Sequence, residues 1–171
     1  DIKNLDNSKV YAKVQYIVGL ELKSEGHFER ALRSLCNIAY STDPKIYAQA
    51  ELSIGWLLED IGSPISVLEA WSRVKREDNK EAYATAQFCT GSHHAEHGSM
   101  EDAIKAWEKI RHSDDSFVYA QAQYRIGQYL INDSISKKYT EAQKAFLNAK
   151  EVYPYETYNY KKVCKLLKNS E

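Results

Sequence analysis

Residues 79–94 read NKEAYATAQFCTGSHH, and the centre of that stretch, YATAQFCTG over 83–91, returns as YAQAQYRIG over 119–127. Two looser copies precede it, YAKVQYIVG over 11–19 and YAQAELSIG over 47–55. Tyr11, Tyr47, Tyr83 and Tyr119 are each 36 residues apart, and Gly19, Gly55, Gly91 and Gly127 keep the same step. A second glycine follows seven residues later in three units, at Gly26, Gly62 and Gly98; the fourth carries the longer NDSISKKY instead. A fixed period of this size is the signature of a chain built from repeated supersecondary units.

Within a unit the apolar residues recur at helical spacing. Tyr47, Ala50, Ile54, Leu57 and Leu58 lie on one face of a first helix, and Leu68, Trp71 and Val74 on one face of a second. Asn7, Asp43, Asn79 and Asp115 repeat every 36 residues and are expected to cap the first helices. Pro44 and Pro64 stand just inside helix starts, where proline is favoured. Ser99 with Asp102 has the form of a capping box. Gly26, Gly62 and Gly98 are expected to end first helices in a left-handed turn. Each unit is therefore a helical hairpin, and a hairpin buries its apolar faces only against its neighbours. The expected class is all-α: one domain over 1–171 with four stacked hairpins at about 8–43, 44–79, 80–115 and 116–154. A capping helix at about 155–168 would close the end, with Tyr158, Val163, Leu166 and Leu167 on the last repeat.

Composition narrows the function. The chain has 171 residues, 43% hydrophobic and 27% charged, with a net charge of −1. That is a globular composition, and near-neutral charge argues against nucleic acid, whose binding rests on phosphate neutralisation. No apolar run is long enough to span a membrane, and no signal-peptide pattern is visible. The three cysteines, Cys36, Cys89 and Cys164, do not read as a disulfide framework; buried free thiols in a reducing, cytoplasmic setting are the expectation.

The units resemble tetratricopeptide repeats, with similarity to Sel1-like repeats. The pattern of small and large residues that carries the likeness runs Ala48, Gly55, Gly62, Trp71, and then Ala84, Gly91, Gly98, Ala103, Trp107. The first unit matches with Gly19, Gly26, Ala31 and Leu35, and the fourth with Gly127, Ala142, Phe146, Ala149 and Pro154. The period departs from the family's usual length of about 34 residues. Gln15, Glu51, Gln87 and Gln123 stand where the family has a large residue, and the tyrosine four positions earlier is expected to take over its packing.

The resemblance implies a right-handed α-solenoid whose concave side, lined by first helices, binds a peptide or protein partner. Carried over by position, that face comprises Lys13, Tyr16, Leu20, Gln49, Leu52, Trp56, Phe88, Ser92, Gln121, Tyr124, Arg125 and Gln128. Trp56 and Tyr124 are expected to be exposed; Tyr16, Leu52 and Phe88 could equally pack between repeats. Some relatives clamp a terminal carboxylate with Lys, Arg and Asn. Here Lys13, Lys23 and Arg125 are present but the asparagines are not, so that clamp is not expected. A second function class is an immunity or inhibitor protein that occludes a bacterial toxin.

Cys89, His93 and His97 are spaced by four and share a helix face, with His94 and Glu96 nearby. Thiolate and imidazole at that spacing can bind zinc, but a tetrahedral site needs a fourth ligand. No metal or other cofactor is expected. No nucleophile–base pair, phosphate loop or dinucleotide motif is present, so an enzyme is not expected.

Overall fold

The computed structural model describes residues 2–132, 139–150, 161–162 and 164–165, and their side chains except those of 2–6, 64–66, 132 and 139. Among the described residues there are eight α-helices and no strand: α1 (Ile2–Ser24), α2 (Phe28–Cys36), α3 (Pro44–Asp60), α4 (Pro64–Ser72), α5 (Lys80–Glu96), α6 (Met100–Glu108), α7 (Ser116–Asn132) and α8 (Tyr139–Ala149). The chain divides into two compact units, 1–86 and 87–171. The all-α helical-repeat class expected from the period is what the structure has. The longer connection after α7 and the expected capping helix lie outside the described residues, apart from 161–162 and 164–165, which are helical.

The turns follow the sequence closely. Gly26, Gly62 and Gly98 hold φ of 78°, 76° and 82°, a conformation open to residues without a Cβ. At Gly98 the next amide, Ser99 N–H, donates to His94 O at 2.8 Å while Gly98 N–H donates to Ala95 O at 3.3 Å. The same two bonds recur at Gly26 and Gly62 and satisfy carbonyls that the helix end would leave unpaired. Asp43 caps α3 by accepting from Ile46 N–H at 3.1 Å, Asn79 caps α5 through Ala82 N–H at 3.0 Å, and Asp115 accepts from Phe117 and Val118 N–H.

Two expected caps are corrected. Asn7 lies inside α1, which starts at Ile2; unlike Asp43, Asn79 and Asp115, it follows no turn, and nothing in KNLD stops a helix. Ser99 makes no side-chain cap, and Asp102 pairs instead with Lys105 at 3.0 Å. The backbone at Ser99, with ψ of 66°, departs from the extended geometry that aims a cap side chain at the helix. The cysteines also depart from expectation: Cys36 is exposed, and Cys89 and Cys164 are half-buried.

One contact closes each hairpin. In the first unit the indole of Trp71 lies on Gly55, where an added Cβ would be 2.1 Å from Nε1. The same indole N–H donates to Leu52 O at 3.3 Å. In the second unit Trp107 lies on Gly91, with a Cβ distance of 2.3 Å, and donates to Phe88 O at 3.1 Å. Phe146 on Gly127 and Leu35 on Gly19 repeat the contact with smaller side chains. The indole fills the space that a side chain would need, and its one polar atom is satisfied by a backbone carbonyl.

Three of the four positions that depart from the resembled pattern make a polar bond within their own hairpin. Ser34 Oγ sits 2.7 Å from Gln15 Oε1, Arg73 Nη1 donates to Glu51 Oε2 at 3.2 Å, and Asn148 Nδ2 donates to Gln123 Oε1 at 3.0 Å. Each bond ties the first helix of a hairpin to its second helix. Glu51 is buried and also holds the Tyr47 hydroxyl; burial and that bond push the Tyr47 phenol up to about 12. The tyrosine does take a packing role, lying against the first unit's core of Ala31, Leu35, Ile38 and Ile54. Gln87 is the exception, because its Oε1 is buried with no hydrogen-bond partner.

These contacts give two glycine substitutions that look alike different causes of loss. Gly91→Ala forces a methyl into the Trp107 ring, and overpacking of this kind costs about 1–3 kcal/mol. Urea unfolding is expected to show a loss in that range. Gly98→Ala meets no atom within 4 Å, so its loss is only the left-handed strain of about 1–2 kcal/mol. Gln87→Leu removes the orphaned oxygen and is expected to raise stability by about 1 kcal/mol in the same assay.

Candidate functional site

The first unit carries an open cleft of about 380 Å³ on the face shared by α1, α3 and the first turns of α5. Tyr16, Leu52, Trp56 and Ala82 supply its apolar wall, and Lys45, Gln49, Asn79, Glu81 and Thr85 its polar edge. Four of the twelve expected groove residues, Tyr16, Gln49, Leu52 and Trp56, therefore line one cleft. The repeat explains why: one helix turn separates Leu52 from Trp56, and one turn also places Gln49 beside them.

Burial sorts these residues. Leu52 is only 7% exposed, so it packs into the core and offers the cleft just an edge. Tyr16, Gln49 and Trp56 are half-buried, each with one side held by the fold and the other open. Trp56 is less exposed than expected because Lys23 lies over its ring at 5.9 Å, fixed there by an ion pair with Asp60 at 3.1 Å. A cation over an indole face both steadies the ring and leaves the opposite face for contact. Lys13 and Leu20 are exposed on α1 but do not line the cleft.

Sequence reasoning missed Lys45, Glu81 and the second role of Asn79. Lys45 and Glu81 stand one repeat apart at the second position of their helices, a column that periodicity marks as solvent. Asn79 was legible as a cap, and its Oδ1 does cap α5. Asn79 is also buried, at 7% exposed, and lines the cleft. The cleft thus offers donors at Asn79 Nδ2, Gln49 and Lys45, an acceptor at Glu81, and an aromatic wall between them.

In the second unit the corresponding positions are arranged differently. Gln128 Nε2 donates to the Tyr124 hydroxyl at 2.7 Å, and the Tyr124 ring packs on Phe146 at 5.9 Å between centroids. Tyr124 is therefore half-buried rather than exposed. Phe88 is half-buried against Trp107 at 6.5 Å. Gln121 and Ser92 are half-buried and Arg125 is exposed.

His93 stacks on His97 with centroids 4.2 Å apart, and His97 Nδ1 lies 2.8 Å from the His93 carbonyl. Among the described residues no three His, Cys, Asp or Glu side chains converge as metal ligands, and Cys89 is not brought together with the two histidines in that way. No helix among the described residues is long and apolar enough to cross a membrane.

The site's tryptophans can be told apart by access. Trp71 and Trp107 are 1% and 3% exposed, while Trp56 opens on the cleft. Acrylamide is expected to quench one of the three indoles, and Trp56→Phe to remove that quenchable fraction without shifting the unfolding midpoint.

No family model matches the chain, and no curated protein matches it. Its fold is similar to that of the MamA protein crystal structure, with a TM-score of 0.61 and 20% identity over 92% of this chain and 88% of that one. A second MamA crystal structure is similar at a TM-score of 0.54 and 19% identity, covering 90% of this chain and 96% of that one. Likeness at this identity bears on the fold, which is of the tetratricopeptide helical-repeat type.

Proposed function

We propose that this chain is a non-enzymatic interaction module that holds a peptide or protein partner on the face formed by its first helices. The observation that carries this reading is the cleft of Tyr16, Gln49, Trp56 and Asn79, with an aromatic wall beside two amide side chains. A peptide backbone carries carbonyl oxygens at regular spacing, and Asn79 Nδ2 and Gln49 are placed to donate to one. Tyr16 and the open face of Trp56 provide the kind of rigid, amphipathic surface that dominates interface energetics. A volume of about 380 Å³ suits one or two side chains of a longer ligand. The reading extends to the equivalent positions of the second unit, Phe88, Ser92, Gln121, Tyr124, Arg125 and Gln128.

The fold supports this reading by using rigid hairpins to present side chains on one face. No cofactor enters it, and the ligand is a protein rather than a nucleic acid, because the cleft carries one lysine against one glutamate.

The test is a quantitative pulldown from native extract with wild type and Tyr16→Ala/Trp56→Ala. A specific partner is expected to be retained by wild type and depleted about tenfold or more from the variant, with helical content unchanged. Equal retention by both would place binding elsewhere and end this assignment.

A further inference from the structure

The charges around the cleft are not equally answered by the fold. Lys45 and Glu81 stand one repeat apart at its polar edge, both exposed. Glu81 has Lys80 beside it at 3.9 Å. Lys23, over the Trp56 ring, is held by Asp60 at 3.1 Å. Among the described residues the Lys45 ammonium makes no ion pair.

The place of Lys45 in its helix sharpens the contrast. It is the second residue of α3, whose first turn holds no acidic side chain. A helix start carries the positive end of the backbone dipole, so a carboxylate is favoured there and a lysine has the wrong sign. Asp43, the cap, accepts from Ile46 N–H at 3.1 Å and does not pair with Lys45. A residue whose charge its own helix opposes is expected where function, not folding, sets the choice.

Position along α3 converts this charge into a spacing. Lys45, Gln49, Leu52 and Trp56 follow at steps of four, three and four, so they share one helix face, and all four line the cleft. Lys45 therefore starts about 16 Å before Trp56 along the axis. An extended peptide covers that distance in about five residues. Tyr16 belongs to the Trp56 end, since it stands one repeat before Leu52. The cleft thus has an apolar end at Tyr16 and Trp56, a cationic end at Lys45, and the Gln49 amide between them.

We propose, on the reading of the cleft as a peptide site, that it selects an extended segment with an aspartate or glutamate about five residues from a large apolar side chain. The apolar side chain lies against Tyr16 and Trp56, and the side-chain carboxylate meets Lys45.

The test selects a displayed library of random peptides of about twelve residues on the full chain and on Lys45→Glu. The library is fused through its C-terminus, so any carboxylate it offers there is a side chain. Wild type is expected to enrich peptides with Asp or Glu about four to six positions from an aromatic or branched apolar residue. Lys45→Glu is expected to exchange that acid for Lys or Arg and to keep the apolar residue. For one synthetic peptide from the wild-type selection, Lys45→Glu should lower affinity about tenfold at low salt and less at high salt. Replacing the peptide's acid by lysine should restore binding to the variant. The melting temperature of Lys45→Glu is not expected to fall, because a glutamate suits the first turn of a helix. Peptides that need Tyr16 and Trp56 but show no acidic preference, or a preference that Lys45→Glu leaves unchanged, would overturn this proposal and leave the peptide site standing. A library that yields no peptide dependent on Tyr16 and Trp56 would end both.

Discussion

Every hairpin rests on a large side chain of its second helix seated on a glycine of its first. Trp71 on Gly55 and Trp107 on Gly91 are the strongest cases, with ring atoms where a Cβ would have to be. The contact sets the helix spacing and the crossing position at once, since a ring held against backbone cannot slide along a ridge of side chains. It also reaches the functional face. The indole N–H bonds belong to the carbonyls of Leu52 and Phe88, two members of the expected groove row. The positions that line the outer surface are therefore anchored from behind by the core.

The polar bonds beside this lock show how the sequence fills the space between the two helices without a large apolar residue. A large apolar residue would fill the space between the helices; Gln15, Glu51 and Gln123 instead span it with hydrogen bonds to Ser34, Arg73 and Asn148. A buried polar atom must be satisfied, so each substitution in the first helix demands a partner in the second. The third repeat has Ala106 and Lys109 at the partner positions, and there the Gln87 oxygen is orphaned.

Surface chemistry differs between the two faces that the first helices present. The cleft face mixes aromatic rings with amides and single charges. The outer face of α1 is apolar and bounded by Asn7 and Glu21. The two faces belong to one helix because residues 14 and 16 point about 160° apart.

Much of the fold was legible in the sequence. The 36-residue step, the alternation of two helices per unit, the caps at Asp43, Asn79 and Asp115 and the left-handed glycines all follow from local rules: periodicity, side-chain capping and the missing Cβ. Asn7 and Ser99 escaped those rules because a cap needs the backbone to turn first, and neither the chain before Asn7 nor the geometry at Ser99 provides it. The candidate site was half legible. Helical period places Tyr16, Gln49, Leu52 and Trp56 on one side of their own axes, and that much needs no neighbour. How far each side chain reaches solvent depends on what is packed across from it. Only the tertiary structure shows Leu52 turned into the core, Trp56 steadied by Lys23, and Tyr124 bonded to Gln128. It alone brings Asn79 from the next repeat to the edge of the cleft, and it alone reveals that the face buried in α3 is open in α1. Periodicity is a property of one helix; burial is a property of two.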